Sequence, residues 1–287
     1  MKRFFILNAD DFGMSKTRNK AVFEAYHKGF LRSASLCVNG EEFEEAAQTL
    51  IPQCPHLGVG IHLDIIEGRA LIPGSSLTDS SGFFKPGFMR LLLKSREKKF
   101  LSDVESEFRA QIEKGLARVK FDHLDSHVHT HGIPGIFKIA AALAKEYGIP
   151  FIRTQYEKRY RAPGSKRNFS PAFAVNRVKV SLLNYFTLIN RRAQMSFHKT
   201  NDFIIGVGYT GMMDSKAVEY GLKKTLAAEK GESLIVEALF HPDTARQNGE
   251  YGIPFDRELE ERIKAMGFQL TNYSGFNIQQ GGPFIIQ

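Results

Sequence analysis

The feature that most constrains this chain is a repeated unit, in which a short apolar or β-branched run is followed by a longer helical pattern. Seven such runs predict strands, and an eighth candidate follows near the end: Phe4–Asn8, Ala34–Val38, Gly58–Leu63, Phe121–Ser126, Pro150–Thr154, Phe203–Val207, Leu234–Phe240 and Phe268–Asn272. Strands that alternate with helices indicate a parallel sheet, because parallel neighbours need a long crossover connection. The chain is therefore predicted to be an α/β protein.

The number of these units favours a closed sheet over an open one. Seven or eight units in 287 residues close more readily into a (β/α) barrel, TIM-like and complete or distorted, than into a doubly wound sheet. The first strand is also not followed by the GxGxxG turn of a dinucleotide crevice. We predict a single barrel domain over residues 1–287, with a basic helical insertion at about 156–201 that covers the active face.

Charge is concentrated in that insertion. Between Lys158 and Lys199 the chain has ten Lys or Arg and no Asp or Glu, whereas the rest has 29 basic and 31 acidic residues. A nucleic-acid groove would interleave aromatic and basic side chains, and the apolar part of this segment does not, so no nucleic-acid partner is predicted. That apolar part, from Val178 to Ile189, is edged by Arg and Lys.

Three roles are open for the apolar stretch of the insertion. A helix packed as a lid or as a homodimer contact is favoured, because apolar helical stripes usually meet protein. A helix of the same sequence could instead rest on an anionic membrane surface. In the third role, its cations would meet phosphate or carboxylate groups on the substrate.

Two features predict a cytoplasmic location. The apolar run of Phe4–Asn8 is interrupted by Asp10 and Asp11 before it reaches the length of a secretory or membrane-spanning segment. Cys37 and Cys54 lie in no CxxC or Cys/His cluster, which is typical of reduced thiols. Peripheral contact with the inner face of a membrane stays open because of the basic insertion.

Residues that bind metals or transfer protons gather at the ends of four predicted strands. In a parallel barrel the loops after the strand C-termini build the active site, so such residues meet there. They are Asp10 and Asp11 after the first strand, His62 in GIHL, Asp125 with His127, His129 and His131 in HLDSHVHTH, and His241 in FHP. Taken singly, an Asp pair can cap a helix and a histidine can be a satisfied core residue. Together they supply mixed ligands for one divalent metal, with Zn²⁺ as natural as Co²⁺, Mn²⁺ or Mg²⁺.

The segment HLDSHVHTH is the strongest part of this pattern. Ionisable residues occupy every second position from His123 to His131, so an extended chain would present all of them on one face. An exposed polar strand face is the competing explanation. An ordinary strand has no need of four imidazoles in nine residues, so we favour a metal site.

The same motifs resemble a known family. NADDFG near the N-terminus, GIHL near residue 60, HLDSHVHTH near 125 and HP near 240 are similar in order and spacing to the YdjC/ChbG-like carbohydrate deacetylases. The likeness runs from residue 3 to about 275, and it implies a (β/α)-barrel enzyme that removes N-acetyl groups from amino sugars with a divalent metal. The family pattern reads close to HLDSHHHVH, so this chain departs from it at Val128 and Thr130 and keeps the first histidine.

Carried over residue by residue, the resemblance implies a division of labour among the strand-end residues. Asp11, His62 and His127 look like the metal ligands, and Asp10 looks like the general base. Adjacent carboxylates after a strand can aim in different directions, so one can bind the cation while the other faces the activated water. One divalent ion, Mg²⁺ or Zn²⁺ with Co²⁺ or Mn²⁺ as alternatives, is the expected cofactor.

The remaining candidates are assigned around that centre. His241 is expected to protonate the departing amine. Asp125 is expected to fix the tautomer of an imidazole, and His129 and His131 to line the pocket. The expected substrate is an N-acetylated amino sugar, an oligosaccharide or a lipid-linked saccharide.

Two other functions compete with the deacetylase reading. A metal-dependent amidohydrolase or phosphoesterase on another substrate would use the same residue types, but such barrels usually carry HxH on their first strand, where this chain has Asp10 and Asp11. A barrel that binds a saccharide or lipid without turning it over would have no use for a base beside a metal.

Overall fold

The sheet of this protein is fully parallel and strongly curled. The computed structural model describes residues 1–85, 87–194, 200–228, 232–246 and 249–275. The strands are β1 (Lys2–Phe12), β2 (Ser33–Leu36), β3 (Gly58–Leu63), β4 (His123–Ser126), β5 (Phe151–Ile152), β6 (Phe203–Ile205), β7 (Ser233–Phe240) and β8 (Phe268–Thr271). Their order is β5-β4-β3-β2-β1-β7-β6, with β8 paired to the start of β1. The predicted α/β, TIM-like fold is confirmed, whereas the single-domain boundary of 1–287 stays a prediction.

Helices connect the strands and cover the outside of the sheet. They are α1 (Lys16–Lys28), α2 (Phe43–Glu45), α3 (Phe88–Lys94), α4 (Lys98–Leu116), α5 (Pro134–Glu146), α6 (Pro171–Gln194), α7 (Ser215–Leu226), α8 (Gly249–Gly252) and α9 (Arg257–Ala265). Local sequence fixes several of their starts. The side chains of Ser15, Asp214 and Asp256 each accept a hydrogen bond from a backbone N–H in the first turn of α1, α7 and α9. Such caps satisfy donors that have no partner within the helix.

Alternate residues of β1 belong to two different cores. One set packs against the helices outside the barrel: Phe5, Leu7 and Ala9. The other set begins with Phe4 and Ile6, which share a small inner cluster with residues of β5 and β7. It continues with Asn8 and Asp10, which are buried and hydrogen-bonded to each other. Side chains along a strand alternate with a period of two, so these four residues all face the barrel interior. The interior therefore changes from apolar to polar toward the C-terminal end of β1.

The barrel is distorted between β5 and β6, the two strands at the ends of the order. In the described residues no strand ladder joins them. Instead, Thr154 N–H donates to the side-chain oxygen of Asn201, whose amide donates back to the Thr154 carbonyl, both at 2.9 Å. One backbone bond, from Ile204 N–H to the Tyr156 carbonyl at 2.9 Å, follows beside them. A side chain thus replaces part of a β ladder at the seam.

The basic insertion is helical, as predicted, and most of it is α6. This helix packs against α5 and against the turn at Val207–Tyr209. Lys199, the last cation of the basic segment, lies outside the described residues. Within the part of the chain that is described, no helix combines the length and apolarity needed to cross a membrane.

Candidate active site

The end of β1 turns two neighbouring aspartates into the same site. Asp10 faces the interior because of the alternation along the strand, so a continued strand would send Asp11 out toward the helices. The pairing with β2 shifts register between Ala9 and Phe12, and Asp11 has a left-handed φ of 67°. Aspartate tolerates this conformation better than most residues. The bulge therefore brings the second carboxylate into the interior as well.

Asp11, His62 and His127 converge on one point. Asp11 Oδ1 lies 2.8 Å from His127 Nδ1 and 3.3 Å from His62 Nε2. The candidate ligand atoms of these three residues all lie within 4.8 Å of one another. The other oxygen of Asp11 contacts the guanidinium of Arg18 at 3.1 Å. The three residues that the resemblance assigns to the metal are thus brought together by β1, β3 and the loop after β4.

The electrostatics of this cluster are those of a carboxylate between two imidazolium ions. Burial opposes charge on His62, but Asp125 and Asp11 outweigh it and raise the pKa of the imidazole to about 10. Burial also opposes charge on His127, yet Asp11 and Glu67 raise its pKa to about 11. Burial raises the pKa of Asp11, but hydrogen bonds from both imidazoles hold it well below the ordinary value. A divalent cation would replace the charge of these two protons.

A second cluster surrounds the fully buried guanidinium of Arg153, directly after β5. Arg153 donates to both oxygens of Asp10 at 2.7 and 2.9 Å and to Glu237 Oε1 at 2.6 and 2.9 Å. It also lies 2.7 Å from Asp125 Oδ2. Asp125 Oδ1 in turn contacts His62 Nδ1 at 2.7 Å, which is the contact that fixes an imidazole tautomer. One cation therefore orders the carboxylates of three strands.

Two residue groups have the spacing of a metal site, and the donor chemistry distinguishes them. In the group of Asp10, His62 and Asp125, both carboxylates already pair with Arg153, which occupies the space beside them. In the group of Asp11, His62 and His127, two imidazole nitrogens and a carboxylate face one another at the edge of a cleft. Two nitrogen donors and one oxygen, with room for a further ligand, fit a catalytic divalent metal.

The prediction of an extended face from His123 to His131 is wrong. Strand β4 ends at Ser126, and the chain continues as a 3₁₀ turn over His127–Gly132. Val128 and His129 adopt left-handed conformations with φ of 52° and 59°. Ser126 closes the turn, because its hydroxyl accepts from His131 N–H at 2.8 Å. A tertiary loop thus overrides the alternation that the sequence suggests.

The turn sends its histidines in different directions. His129 lines the cleft beside His127, and burial lowers its pKa well below the ordinary value. His131 is fully buried and is not among the described residues that line the cleft, so the pocket role expected for it is not what the structure shows. Its ring contacts Ser126 Oγ at 2.6 Å and the Arg153 carbonyl at 3.1 Å. Burial lowers the pKa of His131 to about 4, which suits a neutral residue that supports the loop.

A cleft with a cavity volume of about 240 Å³ lies above the two clusters and is open to solvent. Its walls include Asp10, Asp11, His129, Lys179 and His241. His241, at the end of β7, lies with its Nδ1 3.3 Å from Glu250 Oε2.

The ionisation of His241 depends on this neighbour. Burial opposes charge on the imidazole, but the hydrogen bond to Glu250 and the charge of Asp11 raise the pKa of His241. The resulting imidazolium lies in the same cleft as Asp10, as a proton donor would need to.

Three buried charged residues of the site, Arg153, Glu237 and Glu250, were missed by reasoning from sequence alone. Arg153 follows an apolar pair at the end of a predicted strand, and Glu237 interrupts the apolar run LIVEALF. A charge within a buried strand was the available signal, because such a residue needs a partner. Glu250 follows a segment with no strand pattern, and the sequence offered no signal for it.

Comparison with known proteins identifies the family of this chain and several relatives. The family model described as YdjC-like protein matches residues 4–267. A carbohydrate deacetylase of Brevibacillus brevis is 42% identical over 149 residues, which are 50% of this chain and 57% of that protein. A chitooligosaccharide deacetylase of Proteus mirabilis is 36% identical over 152 residues, 52% of this chain and 58% of that protein. The matched stretch thus spans less than two thirds of each of these relatives.

A solved structure has the same fold over nearly the whole chain. This crystal structure from Enterococcus faecalis V583, of a protein named for cellobiose-phosphate cleavage, superposes with a TM-score of 0.72 at 23% identity. The superposition covers 96% of this chain and 99% of the other. Because the family model matches residues 4–267, which are most of the chain, the chain belongs to the YdjC-like protein family.

Proposed function

We propose that this protein is a metal-dependent carbohydrate deacetylase, which hydrolyses the acetamide of an N-acetylated amino sugar. The observation that carries the proposal is the meeting of Asp11, His62 and His127 at one point, with the second carboxylate of Asp10 fixed beside them. The names of the relatives from Brevibacillus brevis and Proteus mirabilis support the same reaction.

Asp11, His62 and His127 are the proposed holders of the metal. A divalent ion at this position would polarise the acetamide carbonyl and lower the pKa of a water molecule. Two imidazoles and one carboxylate favour Zn²⁺, Co²⁺ or Mn²⁺ over Mg²⁺, which prefers oxygen ligands. Asp125 supports the arrangement, because its contact with His62 Nδ1 leaves Nε2 directed at Asp11.

Asp10 is the proposed general base. Its Oδ1 accepts from both Asn8 and Arg153, whereas Oδ2 accepts only from Arg153 among the described residues. Oδ2 therefore keeps a lone pair that can take a proton from the attacking water. The bidentate contact with Arg153 holds the carboxylate plane in one orientation, so that no reorganisation is needed during the reaction.

His241 is the proposed general acid. Its contact with Glu250 raises the pKa of His241 and so favours the imidazolium form, which can give a proton to the amine as the C–N bond breaks. His129 adds a further contact for the sugar. Its Nδ1 has no partner among the described residues, although the ring is buried at the cleft, so a sugar hydroxyl can pair with it.

A screen for acetate release tests the proposed reaction. The metal-stripped protein is incubated with N-acetylated mono- and oligosaccharides, with and without added Zn²⁺, Co²⁺, Mn²⁺ or Mg²⁺. We expect at least one of these saccharides to release acetate, and only when a divalent metal is present. One free amine should appear for each acetate released. Release of phosphate from phosphate esters without acetate release would identify a phosphoesterase instead. Saturable sugar binding without any turnover would identify a binding protein.

A further inference from the structure

The helix α6 is apolar on two opposite faces. One face packs into the protein through the buried residues Phe173, Val180, Leu183 and Phe186. The other face, here called the outer face of α6, is exposed and carries Val175, Val178, Tyr185, Leu188 and Ile189. At about 100° per residue the two sets lie on opposite sides of the helix axis. The buried face accounts for the packing of the insertion on the barrel, and the outer face has no partner in the described chain.

This exposure is not a scatter of single residues. Among the described residues, twelve large hydrophobic side chains are exposed, and six of them lie between Phe169 and Ile189. Tyr185 is 60% exposed and Leu188 is 62% exposed, one turn apart. Single exposed hydrophobic residues need no explanation, but a contiguous apolar patch of this kind indicates a binding surface.

The same segment presents cations without acids. Arg161, Arg191 and Arg192 are exposed, and no acidic partner is found for them among the described residues. The segment from Lys158 to Gln194 contains no Asp or Glu, so it cannot neutralise itself. By contrast, Arg167 pairs with Asp214 of α7 at 2.8 Å and is already satisfied. The outer face of α6 is thus apolar, and at the C-terminal end of the helix it adjoins the positive charges of Arg191 and Arg192.

This charge favours one occupant of the surface over the other. In a symmetric dimer across α6, both copies would contribute the same basic segment, which contains no Asp or Glu, so no carboxylate of that segment could pair with the arginines across the interface. An anionic lipid surface meets both requirements, since its acyl region accepts the apolar side chains and its phosphates pair with arginine. We propose that the outer face of α6 docks on an anionic lipid surface.

Docking would place the cleft beside the lipid. Lys179 belongs to α6 and also lines the cleft that holds Asp10 and His241, so the docked helix lies at its rim. If the deacetylase function holds, a saccharide carried on a lipid is then the substrate class that this arrangement favours. That consequence rests on the proposed function, whereas the docking itself does not, and vesicle binding tests it without any activity measurement.

Flotation of the full-length protein with vesicles tests the docking. We expect it to float with phosphatidylcholine vesicles that contain about 30% phosphatidylglycerol, to stay behind with pure phosphatidylcholine, and to be released at about 0.5 M salt. The double variant Tyr185→Ser/Leu188→Ser should lower the bound fraction at least about tenfold, and Arg191→Gln/Arg192→Gln should do the same. The matched control Met89→Ser/Leu93→Ser removes two exposed hydrophobic residues of α3, which are 59% and 75% exposed, and should bind like the wild type.

Three results would each overturn the proposal. The first is equal recovery with neutral and anionic vesicles, and the second is an equal loss of binding in the α6 and α3 variants. The third is a dimer of the wild type in light scattering that Tyr185→Ser/Leu188→Ser converts to a monomer, which would assign the face to a second copy of the chain. All substituted residues are exposed, and circular dichroism of each variant checks that the fold is kept.

Discussion

Replacing Asp10 with asparagine is expected to lower the rate of acetate release about 10²- to 10⁴-fold, the range in which a positioned base contributes. The amide cannot take a proton from water, whereas Asp11, His62 and His127 are untouched. The metal content should therefore stay at the wild-type value. Measuring acetate release and bound metal on the same preparation separates loss of the base from loss of the ion.

The control for this variant is Asp243→Asn. Asp243 also lines the cleft, but among the described residues its side-chain hydrogen bond is with the Ala245 N–H, so acetate release by Asp243→Asn should stay close to the wild-type rate. Asp10 is buried and pairs with Arg153, so its substitution could destabilise the fold. A thermal melt must therefore show that Asp10→Asn remains folded at the assay temperature. A folded, metal-loaded Asp10→Asn protein with the wild-type rate would show that another group is the base.

Replacing Arg153 with methionine is expected to lower the free energy of unfolding by about 3–5 kcal/mol, the usual cost of breaking a buried ion pair from one side. The substitution leaves Asp10, Asp125 and Glu237 in the barrel without their shared cation. Methionine fills a similar volume, so the loss reports charge more than packing. Denaturant unfolding at pH 7 measures it.

An exposed arginine provides the comparison. Arg109 pairs with Glu146 on the surface between α4 and α5, where solvent screens the charges, so Arg109→Met should leave the free energy of unfolding essentially unchanged. Equal stability of Arg153→Met and the wild type would show that the carboxylates around Arg153 do not depend on it. The account of an ordered polar interior would then fail.

The fold could be predicted from sequence because its signals are local and repeated. Each strand is a short apolar or β-branched run, and the structure has Gly58–Leu63 with the predicted bounds. The alternation along β1 also explains why Asp10 faces the interior. The alternation does not predict the left-handed backbone conformation of Asp11, because the bulge that produces it depends on pairing with β2.

The arrangement of the site depends on contacts between distant parts of the chain, and these were harder to predict. The loop after β4 curls because Ser126 holds His131, which breaks the alternation that the sequence presents. Arg153 and Glu237 are 84 residues apart and appear as isolated charges in apolar runs until the barrel joins them. The residue types of the site are visible in the sequence, but their partners are set by the curled sheet.

The central claim is that Asp11, His62 and His127 hold one cation. Calorimetric titration of the metal-stripped protein with Zn²⁺ near pH 7, in buffers of different ionisation enthalpy, tests it most directly. The pKa values of about 10 and 11 mean that both imidazoles are charged before binding, so one ion per chain should release about two protons. Asp11→Asn should abolish the saturable site. Binding with no proton release, or unchanged binding in Asp11→Asn, would contradict the claim.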